Sequence, residues 1–202
     1  MKWWLYNRFR YLDSKYTTGT SQENNIQIRA KEKANITMSS YVNMYGHVKY
    51  NSAMVTHRMD RDKLYEFEWA ASGAEDAVIS IYDADMLTSL GDLSPLKPDL
   101  VDISKASHLT SIKIGDNTTG YDNPHLKTLA FGSNKLLRTI DARNCSGMGT
   151  GEQGAVDISG CVNVEHIYFE GTKVKGVTLP DGGIIKTLHL PETITDLTIL
   201  NQ

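Results

Sequence analysis

Residues 149 to 154, Gly-Thr-Gly-Glu-Gln-Gly, carry the G-x-G-x-x-G spacing of a dinucleotide-binding loop. That spacing holds a pyrophosphate when it opens a helix whose first amides point at the phosphates. Here it runs straight into Ala155-Val-Asp-Ile-Ser159, an alternating strand pattern, so a flexible loop is expected and no cofactor is assigned. Asp60 with Asp62, and Asp83 with Asp85, bring carboxylates close together, but neither pair extends into an EF-hand loop or a glycine-rich calcium nonapeptide. Surface turns are expected at both. The six histidines include no H-E-x-x-H, and His108 and His125 each precede the first Leu of a repeated phrase, which suggests structural corners. No Ser or Cys stands in a nucleophile elbow, and no glycine-rich loop ends in Lys-Ser/Thr. No catalytic or metal-ligating residue is assigned, and an enzyme is the least supported class.

Cys145 and Cys161 make neither a metal quartet nor a disulfide framework. A small buried structural role is expected for both, with a disulfide or redox role as the other reading.

What remains is chemistry of binding. Lys113, Asp141, Tyr168 and His189 recur as outward centres of short strands, with His166 beside Tyr168, and together they form a face of mixed charge and modest aromatic content. Such a face could take protein or sugar, and it is otherwise a solvated surface. Tyr121 and Asp122 fall in the loop 118–124, which with 146–154 makes two polar, Gly-rich loops expected side by side at one edge, as interaction sites or as neutral insertions. Near the N-terminus, Trp3, Trp4, Arg8 and Arg10 would lie on an amphipathic helix that docks on a partner or membrane surface, or packs on its own domain.

The elements that must position these groups are legible as a repeat. Leu126-Leu129-Phe131-Asn134 has a Leu-x-x-Leu-x-Leu-x-x-Asn cadence, and five other stretches between Leu109 and Gln202 fit it. "VDISKASHLTSIKIGDN" and "VDISGCVNVEHIYFEGT" align over a longer unit. Marking each outward residue flanked by two apolar ones gives Asp102, Ala130, Asp157, Thr178 and Thr198 on one face, and Lys113, Asp141, Tyr168 and His189 on another. The crossing from first to second face is always 11 residues, whereas the full step is 27 or 28 early and 20 or 21 late. A constant crossing with a variable return predicts two strands per coil. The flanking pairs, 18 apolar residues, should point inward and supply the core.

Residues 1–86 differ. Strands are expected near 26–29, 35–38, 47–50, 54–58, 65–69 and 78–82, enough for a small β-sandwich after a short N-terminal helix. Residues 87–99, with Pro95 and Pro98, form the junction, and a stiff junction would make the halves one body. The expected fold is therefore mainly β: a helix and sandwich-like domain over 1–86, then a right-handed, leucine-rich-repeat-like solenoid over 100–202. The rhythm reaches "DLTILNQ" with no polar capping segment, so a further piece of chain or another subunit is expected to cover that end.

A net charge of -3 argues against general attraction to nucleic acid, and no segment has the roughly 18 apolar residues of a membrane helix. The basic, aromatic N-terminus is unlike a signal peptide.

On "VDISGCVNVEHIYFEGT" and "HLKTLAFGSNKLLRTIDARNC", the repeat region resembles bacterial and phage leucine-rich-repeat proteins, though the second short strand departs from the helix-backed horseshoe. The order "WWLYNRFRYLDSKY", a β-domain, "DMLTSLGDLSPL" and repeats ending "KTLHLPETITDLTI" resembles a module of large structural proteins of tailed phages from gut communities. That resemblance implies a non-enzymatic virion or tail component whose partners are other subunits or the rest of a longer polypeptide. The other reading is an adhesin at a bacterial cell surface, binding host protein or glycan.

Overall fold

A computed structural model describes residues 25–40, 42–50, 53–69, 77–151 and 154–199. The expected N-terminal helix, with Trp3, Trp4, Arg8 and Arg10, lies outside the described residues. The chain is mainly β, and among the described residues there is no α-helix, only the 3-10 turns Ala84–Met86 and Ser94–Leu96. The strands are β1 (Asn25–Ala30), β2 (Ala34–Ser40), β3 (Met44–Tyr50), β4 (Ala53–Met59), β5 (Tyr65–Trp69), β6 (Ala77–Tyr82) and β7 (Leu87–Leu90). Nine short strands follow: β8 (Leu100–Asp102), β9 (Ser111–Lys113), β10 (Thr128–Ala130), β11 (Thr139–Asp141), β12 (Ala155–Asp157), β13 (His166–Tyr168), β14 (Gly176–Leu179), β15 (Thr187–His189) and β16 (Asp196–Ile199).

The first strands form because apolar and polar residues alternate. Along β1 the side chains of Ile26, Ile28 and Ala30 are buried and Gln27 is exposed; along β2 Ile36 and Met38 are buried. β1 pairs antiparallel with β6, β6 with β3 and β3 with β4, while β2 pairs with β5 and β7 in a second sheet. The six strands expected from the sequence lie within β1 to β6.

The junction is not a free linker. β7 belongs to the second sheet, Leu93 and Leu96 are fully buried, and the Leu93 amide donates to the Lys113 carbonyl at 2.8 Å. The amides of Lys31 and Glu32 both donate to the Leu96 carbonyl at 3.0 Å. β1 also pairs antiparallel with β8, setting Ile28 opposite Val101, and β8 pairs parallel with β10. One sheet, in the order β10-β8-β1-β6-β3-β4, therefore runs through both halves, and their apolar residues form one continuous core.

From β8 onward the chain alternates between parallel ladders. All nine marked centres lie in strands, and β9, β11, β13 and β15 pair in register, setting Ile112, Ile140, Ile167 and Leu188 in one row. The other series is divided: β8–β10 belongs to the long sheet and β12–β14–β16 forms its own. The return through 146–154 is anchored by the Gly147 amide on the Asn123 carbonyl (3.2 Å) and by the Lys173 amide on the Met148 carbonyl (2.7 Å). β12 is not a ladder neighbour of β10.

The shared Val-Asp-Ile-Ser has a physical cause. Asp102 Oδ1 accepts the Ser104 amide and Asp157 Oδ1 accepts the Ser159 amide, each at 2.9 Å, turning the chain out of its strand. The phrase-ending Asn134 reaches back one repeat: its Nδ2 donates to the Ala106 carbonyl at 2.5 Å, 28 residues back, and Asn144, one residue before the Cys145 that ends the next phrase, donates likewise to the Asp116 carbonyl at 2.9 Å. Asn117, expected at the same position, is exposed. Gly132 has φ 60°, and a Cβ there would sit 2.6 Å from the Ser104 carbonyl oxygen, so both conformation and space demand glycine.

Burial of the inward pairs is graded. Those of β8 to β14 are buried, Leu188 and Leu190 flanking β15 are partly covered, and Leu197 and Ile199 of β16 are 47% and 53% exposed. The expectation of 18 buried residues thus fails at the last strands, where a neighbour lies on one side only.

Candidate functional site

The four-stranded ladder presents Lys113, Asp141, Tyr168 and His189 as in-register neighbours. Period 2 along each strand adds Ser111, Thr139, His166 and Thr187 as a parallel row on the same face.

At one side, Lys113 Nζ reaches Asp92 and Asp116, each at 2.6 Å. The Asp116 bond, then the Asp92 bond, raise the ammonium pKa, and Asp116 is held well below the usual carboxylate range, first by Lys113 and then by Thr118. In the next strand the Asp141 carboxylate is 6% exposed and takes two bonds from Arg143, at 3.0 and 2.6 Å. Arg143 in turn lies over the Tyr168 ring, 4.8 Å from its centroid. His166 stacks beside Tyr168 at 6.5 Å, and His189 meets it edge-on at 5.3 Å while pairing with Glu170. Glu170 Oε2 is a buried oxygen without a hydrogen-bond partner among the described residues.

Below this row, Glu165 is 9% exposed and is bridged by Arg138 and Lys186, the residues just before the flanking strands β11 and β15. Lys186 first, and Arg138 after it, keep its carboxyl below the ordinary range. Arg138, Glu165 and Lys186 each precede a ladder strand, so stacking the coils brings them together.

The loop residues separate from this face. The two loops do lie side by side: Asn123 donates its amide to the Asn144 carbonyl at 2.9 Å, and Asp122, exposed, accepts the Ser146 amide at 3.4 Å. Tyr121, however, is turned onto the junction. Its hydroxyl lies 3.2 Å from the Ser94 and Ile114 carbonyls, Lys97 sits 6.0 Å above its ring, and burial pushes its pKa up. It is a staple between loop and junction.

Arg143, Arg138, Glu165, Glu170 and Lys186 were missed by the sequence reading. The two-residue step from Asp141 to Arg143 and from Tyr168 to Glu170 would have placed Arg143 and Glu170 on the face. Glu165 alternates inward and gives no such signal.

Elsewhere, Gly154 leads directly into β12, and Gly149 (φ 88°) packs on the Lys173–Val174 backbone, so no helix follows the G-x-G-x-x-G spacing. Among the described residues no three His, Cys, Asp or Glu side chains are grouped to hold a metal, and no helix is long and apolar enough to cross a membrane. Cys145 and Cys161 are free and buried. Burial pushes their thiols up, to about 12 and about 11. Because the unfolded thiol ionises near 9, their contribution to stability is complete below that pH and is lost as pH rises through 11 to 12. Urea unfolding is expected to shift to lower urea between pH 8 and pH 10.5, and the shift should shrink in Cys145→Ala/Cys161→Ala. Iodoacetamide at pH 8 should label neither thiol until urea opens the fold.

The arrangement is a face whose ionic groups are paired with one another and whose rings stand side by side on the ladder. Comparison with protein-family models, with curated proteins and with solved structures finds no match.

Proposed function

We propose that this chain is a non-enzymatic structural and interaction module of a larger assembly: a β-sandwich fused to a leucine-rich-repeat-like, right-handed solenoid with two short strands per coil. In the setting that its sequence resemblance implies, the assembly is a tailed-phage particle and the module a virion or tail component. The observation that carries the reading is the graded burial of the inward pairs. Val177 and Leu179 are 2% and 4% exposed, whereas Leu197 and Ile199 are 47% and 53% exposed. Apolar side chains in a row, on a strand that is terminal in its sheet among the described residues, are a template for another strand of the same alternation.

The test is sedimentation velocity with a concentration series. Association is expected at micromolar concentration, together with emission from a bound hydrophobic dye, and Leu197→Asp/Ile199→Asp should abolish both. A chain that stays monomeric, binds no dye and is unchanged by the double substitution would sink the reading.

A second reading, an adhesin for a host-surface protein or glycan at a bacterial surface, is supported by a different observation: the Arg143–Tyr168–His166–His189 cluster standing on the ladder face.

A further inference from the structure

We propose that the exposed end of the repeat is closed by a second copy of this chain, whose β16 pairs antiparallel with β16 of the first about a two-fold axis through Thr198. The inference rests on the assembly reading and names its partner.

All four residues of β16 are exposed, and β16 is terminal in its sheet among the described residues. The Asp196 amide donates to the Lys175 carbonyl at 3.0 Å, so the backbone groups of Asp196 face β14, and by alternation along the strand those of Thr198 do too. The amides and carbonyls of Leu197 and Ile199 therefore point away from β14. The same two residues carry the inward apolar side chains, in register with Val177 and Leu179. Free backbone and uncovered apolar surface thus belong to the same pair of residues.

An antiparallel neighbour forms its bonds where edge-facing residues stand opposite one another. β16 meets that condition with itself. Centring the pair on Thr198 sets Leu197 opposite the partner's Ile199 and Ile199 opposite the partner's Leu197. Each opposite pair then exchanges N–H···O bonds in both directions, and each apolar side chain lies against another on the core face. Moving the centre to Leu197 sets Ile199 opposite the polar Thr195, and moving it to Ile199 takes Leu197 beyond the end of the partner's strand.

The other end of the repeat cannot serve. β1 lies antiparallel on the near side of β8, and the Lys113 carbonyl of β9 is taken by the Leu93 amide. One copy therefore has no open first coil to lay on the last coil of another, which closes off head-to-tail stacking. The outer strands β4 and β5 carry exposed Arg58 and Glu66, charges that suit a strand edge kept in water. Pairing like end with like end is isologous, and it stops at two copies.

The test places a cysteine on the axis. Opposite residues of a non-hydrogen-bonded antiparallel pair have Cα atoms about 4.5 Å apart, within disulfide reach, and Thr198 meets itself there. With oxidised glutathione as oxidant, Thr198→Cys in the whole chain is expected to run as a disulfide-linked dimer on a non-reducing gel. Thr178→Cys, one strand further in on each side, would have to bridge roughly 14 Å between Cα atoms and should not cross-link. Adding Leu197→Asp/Ile199→Asp to Thr198→Cys should abolish the link. The parent should sediment up to a dimer and no further. Association that runs past the dimer, a dimer in which Thr198→Cys does not cross-link, or equal cross-linking by Thr178→Cys would each overturn the two-fold pair while leaving assembly through this end standing. A chain that stays monomeric at every concentration overturns both.

Discussion

Phe169→Ala is expected to cost about 3 to 5 kcal/mol of unfolding free energy, the largest effect of any single truncation in the repeat region. Phe169 is 0% exposed and follows β13 directly, in the same row as Ala142, which follows the neighbouring strand β11. β13 has a ladder neighbour on each side, β11 and β15, and Phe169 lies within the continuous core, so little can collapse into the space left behind. Phe169→Leu keeps most of the volume and should cost less than about 1.5 kcal/mol. Urea unfolding followed by circular dichroism gives both values. A loss under 1 kcal/mol for the alanine variant, at unchanged m-value, would mean that the coils are not close-packed there.

Asp99→Ala should be the second largest, at about 2 kcal/mol, because it removes a charged acceptor from two partners. Asp99 is 8% exposed; its carboxylate accepts from Arg29 and lies 3.1 Å from Lys31, while its backbone amide donates to the Arg29 carbonyl at 2.9 Å. Its carbonyl also receives the Lys127 and Thr128 amides, at 2.8 and 3.2 Å, which starts β10 on β8. The residue thus ties the first sheet and the repeat together through both side chain and backbone. Hydrogen exchange is expected to speed up jointly in β1, β8 and β10. Asp99→Asn should recover part of the loss, since it keeps acceptors but not charge. Faster exchange confined to β1 would show that the two halves open separately.

The repeat was legible because each strand writes its two inward residues two positions apart and the crossing between faces has a fixed length. Val101 with Ile103 and Ile167 with Phe169 announce their strands without any knowledge of partners. The division between β10 and β12 was not legible, because both strands carry the same inward pair and no local pattern records which strand a strand will pair with. The joining of the halves through β1 and β8 was hidden for the same reason: Ile28 and Val101 are far apart in sequence, and a strand's alternation does not name its neighbour. At the candidate face, the row of Lys113, Asp141, Tyr168 and His189 followed from spacing alone. Tyr121 went the other way, since a loop tyrosine carries no mark that its ring will fold back onto Ser94.

β8 is also the point at which an antiparallel sheet becomes a parallel one, with β1 on one side and β10 on the other. A parallel stack of coils has no internal reason to prefer a starting place; it can slip by one repeat and still satisfy its backbone. Here β1 occupies the near edge of the first strand in the opposite sense, and that edge accepts no coil. The ladder is thereby given a zero mark, and the parallel strand that follows counts outward from it.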